Sequence, residues 1–311
     1  MATLYLSHPA FLDHDTGERH PERADRLRAI EKVLGHELFS GLRREEPPEA
    51  DFDAIGRVHS HAYIEAIRHA APAEDIVYLD GDTMMSPGSL RAALFAAGAG
   101  LRAVDAVMTG EVKTAFCAVR PPGHHAEPRH AMGFCLFNNI AIAGLHARVN
   151  HGAERVAVVD FDVHHGNGTQ AAFWPDKNLF FASTHQMPLY PGTGHPSETG
   201  VADNIVNVPL RPGAGGEAFR DAFANRILPA LTNFAPDVVL ISAGFDGHRD
   251  DQISDIHLVE EDYAWATYRI ADVAQKFAGG RVISLLEGGY DLRALAQSVA
   301  VHIRALMEAG A

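Results

Sequence analysis

Only two cysteines, Cys117 and Cys135, occur in the 311 residues. They form no CxxC pair, and a chain of this length does not need a disulfide scaffold, so a reducing compartment is expected. Basic residues are also short. Lys and Arg number 26 against 40 Asp and Glu, a net charge of −14. A nucleic-acid-binding surface needs a basic face, so no nucleic-acid partner is expected. No long apolar run is present. The longest strongly apolar helical stretch, residues 92–101, is about half of what a bilayer span requires. The N-terminus MATLYLSHPAF lacks a basic region followed by an apolar core. No signal peptide and no membrane partner are therefore expected, and the expected location is cytoplasmic. No repeat, low-complexity segment or linker interrupts the chain, which predicts one domain over residues 1–311.

What is present is a hydrophobic fraction of 47%, enough for a substantial core, and 19 histidines, which direct attention to metal or proton chemistry. Residues 156–169, VAVVDFDVHHGNGT, organise the chain. The apolar, β-branched opening suits a buried strand of a parallel sheet, and the chain turns at Gly166-Asn167-Gly168. Residues i, i+2 and i+4 of a strand point to one side. Strand geometry carried to its end would therefore set Asp160, Asp162 and His164 on one face. Two carboxylates and an imidazole there form a candidate metal site, at the edge where open α/β sheets place their ligand crevice. A single Asp or His would read as a helix cap or a satisfied polar group. Asp160, Asp162, His164 and His165, clustered straight after an apolar strand, outweigh that reading.

The rest of the chain alternates strand and helix. Strands are expected at 3–7, 114–119, 178–183, 205–210, 237–241 and 281–286. Pro21 sits where a helix would begin, followed by ERADRLRAIEKVLGHELF. Ser60 caps a helix at 61–70, and Pro87 opens an Ala-rich helix at 88–108. Further helices are expected at 137–149, 217–234, 262–277 and 291–307, with a long loop at 185–204. This alternation predicts a mostly parallel sheet with helices on both faces. Loops carrying His124-His125, the Asp/His cluster, Asp246 and Tyr290 each follow a strand. Neighbouring strands would bring the four loops together as one site.

Four segments resemble, in order and spacing, the motifs of the zinc-dependent histone deacetylase family: RPPGHHAEPRHAMGFCLFNN, VVDFDVHHGNGTQ, SAGFDGHRDD and LEGGYDL. That family includes bacterial deacetylase-like amidohydrolases and acetylpolyamine amidohydrolases. The resemblance runs from His20-Pro21-Glu22-Arg23 to Leu292. It implies an α/β fold, a three-layer α/β/α sandwich around a mainly parallel eight-stranded sheet, shared with arginase.

By that resemblance Asp162, His164 and Asp246 hold the metal, Zn²⁺ by family, with Fe²⁺ and Co²⁺ open. Three N/O ligands leave one position for water and substrate. His124 and His125 correspond to the tandem histidines. One takes a proton from the attacking water and one gives a proton to the leaving amine, with His125 the better candidate for both. Asp160 backs His124. Asn167 stands where some members carry an aspartate behind His125, which resembles the class II branch. An amide fixes the ring but cannot stabilise imidazolium as a carboxylate does. Tyr290 corresponds to the tyrosine that donates to the substrate carbonyl.

Phe134 and Tyr190 would line the tunnel for the acyl-lysine stem, and the Gly133 carbonyl would accept the substrate N–H. Ile253 stands at the rim. Arg26 resembles the arginine of an internal acetate channel, with an exposed helix charge as the alternative. Asp160, Asp162, His164, Ser183 and Thr184 resemble a K⁺ or Na⁺ site, partly through backbone carbonyls; Phe173 and Leu179 resemble a second one. Asp80 and Asp82 read as loop decoration more than rim contacts, and His185 and His195 lie in the long loop, with a place at the rim open to both and no role assigned. The implied activity is metal-dependent hydrolysis of N-acetyl amides. Isoleucine at 253 leans toward an acetylated lysine peptide or protein over an acetylated polyamine. An arginase-like ureohydrolase and a non-catalytic acyl-binding module are the more distant rivals. The oligomeric state, homo-oligomer included, is left open.

Overall fold

The apolar runs of the sequence become the middle of one sheet in the computed structural model, which describes residues 1–311. Ten strands form in chain order: β1 (Leu4–Leu6), β2 (Arg43–Glu45), β3 (Val77–Tyr78), β4 (Met84–Met85) and β5 (Thr114–Cys117), then β6 (Val156–Asp160), β7 (Leu179–Gln186), β8 (Ile205–Leu210), β9 (Val238–Ala243) and β10 (Val282–Leu286). Eight of them make a sheet in the order β2-β1-β5-β10-β9-β6-β7-β8; β3 and β4 pair as a separate ribbon. Every ladder of the large sheet is parallel. The central strands VVLISA, VISLL and VAVVD are buried throughout, as a sheet covered on both faces requires. Helices Ser89–Met108 and Asn139–His151 pack together over β5, β10, β9 and β6 on one face; Asp25–Leu34, Glu260–Phe277 and Leu292–Gly310 pack together on the other. No helix is long and apolar enough to cross a membrane.

The register explains where the site forms. Cys117 pairs with Leu285, Leu285 with Ser242, Ser242 with Asp160 and Asp160 with Ser183. Five neighbouring strands are therefore level with one another near their C-terminal ends. The loops after β5, β10, β9, β6 and β7 leave the sheet side by side, and the expected meeting of the four site-bearing loops occurs.

Several expected bounds move. The helix expected from Pro21 starts at Asp25, because Glu22 is drawn inward by Arg26 and Arg120. Strand β6 ends at Asp160, so Asp162 and His164 do not continue its face. They are placed instead by a loop whose amides bind carboxylates: Asp162 N donates to Asp160 Oδ1 and His164 N to Asp162 Oδ1. The turn expected at Gly166-Asn167-Gly168 is the start of a short helix, Asn167–Phe173. Strand β7 runs through His185, which is buried with Nδ1 on the Ser183 hydroxyl and Nε2 on the Gly194 carbonyl, not at a rim. The single helix expected over 217–234 has a π-helical segment, Phe223–Ile227, in its middle.

Candidate active site

Asp162, His164 and Asp246 converge beyond β6 and β9, all buried, with ligand atoms within 4.8 Å of one another. Nδ1 of His164 lies 3.1 Å from Asp162 Oδ1 and 3.1 Å from Asp246 Oδ2. The remaining oxygens are spoken for. Gly288 N donates to Asp162 Oδ2 at 2.8 Å and Val163 N to Asp246 Oδ1 at 2.9 Å. Oδ2 of Asp246 is buried without a hydrogen-bond partner of its own. Two buried carboxylates facing one imidazole require a cation among them. Without a metal, the carboxylates oppose the effect of burial and hold a proton on His164, pushing it up to about 10. A divalent metal answers the same demand, and one nitrogen with two oxygens suits zinc. Glycine at 288 leaves the room: an added Cβ would lie 2.2 Å from Asp246 Oδ2 and 2.6 Å from Asp162 Oδ2.

The tandem histidines come from the loop after β5, with ring centroids 4.1 Å apart. Nδ1 of His124 is 2.9 Å from Asp160 Oδ2. Burial disfavours its charge, but Asp160, Asp162 and Glu287 overcome that and raise it to about 10. Nδ1 of His125 is 2.8 Å from Asn167 Oδ1. Burial and the positive rings of His124 and His164 push His125 well below the usual imidazole range. One ring of the pair is held charged and the other neutral. Glycine at 133, with φ +57°, lets the next loop lie against His125; a Cβ there would stand 2.4 Å from Cδ2 of the ring.

One cavity of about 210 Å³ joins these groups: His124, His125, His164 and Tyr290 line it, with Phe134, Tyr190 and Ile253 as walls and Gly133 beside them. The Tyr190 ring stands edge-on to His125 at 5.2 Å and Phe134 edge-on to Tyr290 at 6.0 Å. Burial and the carboxylate of Asp246 keep the Tyr290 phenol protonated, well above its ordinary range. The carbonyl of Gly133 accepts a weak hydrogen bond from Cys135 Sγ at 3.2 Å. Asp82, read from sequence as loop decoration, also lines this cavity. Asp80 binds the backbone of that loop instead, accepting from Asp82 N and Thr83 N. His195 is exposed and pairs with Ser197.

Arg26 is fully buried, not an exposed helix charge. It donates to the carbonyls of Gly289 and Glu287 and to Glu22, with its guanidinium 5.0 Å from the Tyr290 ring. Ser183 and Thr184 are buried on β7, with Ser183 in register with Asp160. Phe173 and Leu179 are buried nearby in sequence order, at a helix end and a strand start.

Two carboxylates of the site escaped the sequence reading. Glu287 accepts from Gly123 N at 2.7 Å, His124 N at 3.1 Å and the Ser242 hydroxyl at 3.1 Å, tying its own loop to the tandem-histidine loop and to the end of β9. Burial raises it to about 7. Asp251 accepts from Tyr290 N at 2.6 Å and Asp291 N at 3.0 Å, and so sets the tyrosine loop. Both lie inside quoted motifs, Glu287 in LEGGYDL and Asp251 at the end of SAGFDGHRDD, which is the signal that could have found them. Asp105, His146 and His151 form a second cluster between two helices. There Arg57 donates to Nδ1 of His146, which leaves the proton of that ring on Nε2, facing Asp105 at 2.7 Å. The cluster is closed by its own hydrogen bonds.

The chain as a whole is similar to known proteins. The histone deacetylase domain family matches residues 20–306. Histone deacetylase 10, chloroplastic, of Oryza sativa subsp. japonica is 38% identical over 98% of this chain and 73% of its own length. The histone deacetylase-like amidohydrolase of Pseudomonas aeruginosa is 39% identical over 87% of this chain and 71% of its own. The crystal structure of the HDA15 HD domain superimposes with a TM-score of 0.93 at 36% identity, covering 99% of this chain and 88% of that one. With the parallel eight-stranded sheet, the buried Asp-His-Asp triad and matches along nearly the whole length, this chain belongs to the histone deacetylase family.

Proposed function

We propose that the chain is a zinc-dependent deacetylase acting on the acetylated lysine side chain of a peptide or protein. The carrying observation is the cavity in which His164, one member of the Asp162-His164-Asp246 triad, meets His124, His125 and Tyr290 between the aromatic walls of Phe134 and Tyr190. Zinc held by Asp162, His164 and Asp246 would supply a Lewis acid for the acyl carbonyl and the attacking water.

The chain's own groups do the rest. His125 is neutral, and its Nδ1 is engaged by Asn167, which leaves Nε2 to take a proton from the attacking water and return it to the leaving amine. His124, held charged against Asp160, adds positive charge beside the developing oxyanion. Tyr290 donates its hydroxyl to the acyl oxygen. Phe134 and Tyr190 enclose the alkyl stem and exclude water. Asp160, Asp162, His164, Ser183 and Thr184 would hold a K⁺ or Na⁺ ion behind the triad, and Arg26 would meet the departing acetate.

A second substrate reading, an acetylated polyamine, is favoured by one observation: Asp82 places a carboxylate in the lining of the same cavity as Ile253, where a cationic chain would gain from it. Acetate release from an acetyl-lysine peptide and from an acetylated polyamine, at equal concentration, separates the two. The proposal expects a higher kcat/KM for the peptide. A higher value for the polyamine would transfer the proposal to Asp82-directed cationic substrates, and removal of that preference in Asp82→Asn would confirm the transfer.

A further inference from the structure

Asn167 behind His125 raises a chemical difficulty. A carboxylate would hold the ring and also stabilise its protonated form; an amide does only the first. The amide is also ambiguous, because it can present either its oxygen or its NH₂ to the ring. Only the oxygen calls for a proton on Nδ1 and leaves Nε2 free.

The structure resolves both points through a side chain outside the recognised machinery. Nδ2 of Asn167 donates to Oε1 of Glu127 at 2.8 Å. An ionised carboxylate accepts and never donates, so it dictates which end of the amide faces it. Oδ1 must then face His125, where it lies 2.8 Å from Nδ1. Met132 Sδ, 3.3 Å from the same Nδ2, is likewise an acceptor. Glu127 makes no ion pair with a basic residue; its backbone is pinned by a two-way bridge to His130 and by His59, whose Nδ1 is 3.0 Å from the Glu127 carbonyl. Asn167 is buried, and Glu127 is half-buried.

We infer that Glu127 is a positioning residue for His125, acting through Asn167: it fixes the amide so that Nδ1 of His125 carries the proton, and supplies one residue further out the negative charge that asparagine lacks. The relay His125–Asn167–Glu127 does in two steps what one aspartate does in one. The inference rests on the deacetylase reading above.

The test is a double-mutant cycle read by steady-state acetate release. Glu127→Ala should lower kcat by about tenfold, the scale of lost support behind a reacting histidine, with KM little changed. Glu127→Gln, which keeps an acceptor but no charge, should lose less. The decisive arm is Asn167→Asp. With a carboxylate at 167, Glu127 becomes a repelling neighbour, so Glu127→Gln should raise kcat in that background while lowering it in the parent. A merely structural role cannot reverse sign. The same direction of effect in both backgrounds, or wild-type kcat in Glu127→Ala, would overturn the inference. Thermal unfolding of each variant identifies any that fail to fold, and the Gln variants, which remove no atoms of bulk, carry the test in that case. His125→Ala is assayed alongside. An active His125→Ala would overturn the role given to His125, no acetate release by the parent would overturn the deacetylase reading itself, and an inactive His125→Ala with an unaffected Glu127→Ala would overturn this inference alone.

Discussion

Tyr290→Phe is expected to lower kcat by about 10²–10³, the usual effect of removing one donor from a developing oxyanion. The substitution should remove the hydroxyl and little else. The backbone at 290 is held by Asp251, the ring packs edge-on to Phe134, and the Arg26 guanidinium lies 5.0 Å from its centroid. None of these contacts involves the hydroxyl. Because the donor acts on charge that develops during reaction, kcat and kcat/KM should fall together while KM changes little. Steady-state kinetics on the acetyl-lysine peptide measures this. A variant that keeps wild-type kcat would remove Tyr290 from the chemistry and leave the cavity without its oxyanion donor.

Loss of the carboxylate at Glu22 is expected to have the largest effect on stability. Glu22 is fully buried between Arg26 and Arg120, with Oε2 2.7 Å from Arg120 Nη2 and Oε1 3.1 Å from Arg26 Nη1. Removing one partner of a buried pair leaves uncompensated charge and costs about 3–5 kcal/mol. Glu22→Gln should therefore lower Tm by roughly 5–10 °C at this size. Activity should fall as well, because the same Arg26 binds the carbonyls of Gly289 and Glu287 beside Tyr290. The pH dependence has a definite sign. Burial alone would raise this carboxyl, but Arg120 and Arg26 overcome it and hold the group at about 2, below its ordinary 4.5. Its stabilisation is thus complete above pH 4.5 and is lost as pH falls toward 2. Denaturant midpoints at pH 6 and pH 3 should differ less in Glu22→Gln than in the parent. An equal difference would mean that other carboxylates govern the acid transition.

The central strands were legible because their burial on both faces writes itself into composition: VVLIS and VAVV cannot be surface segments. Strand β2, with the sequence RRE, has no such signature; it is a strand only because β1 offers it an edge, where charge is tolerated. The helix Asn167–Phe173 opens on Asn-Gly, a turn signal by local propensity, and tertiary packing overrides it. At the site, Asp162, His164, Asp246, His124, His125 and Tyr290 were found through motifs of reactive residues that follow strands. Glu287, Asp251 and Glu127 were not, although each lies within or beside those motifs. Their work is to accept hydrogen bonds from groups up to 164 residues away, and no local pattern encodes such a partner. Asp82 shows the same blindness in reverse, since only the packed loops reveal that it lines the cavity.

The claim on which the account turns is that Asp162, His164 and Asp246 hold the metal that the reaction requires. Protein stripped with a chelator and titrated with Zn²⁺ tests it, with bound zinc counted by equilibrium dialysis and acetate release measured at each point. One zinc per chain should bind and restore release in proportion, and Asp246→Ala should neither bind it tightly nor recover. Full acetate release by the stripped protein, or equal zinc binding by Asp246→Ala, would contradict the account.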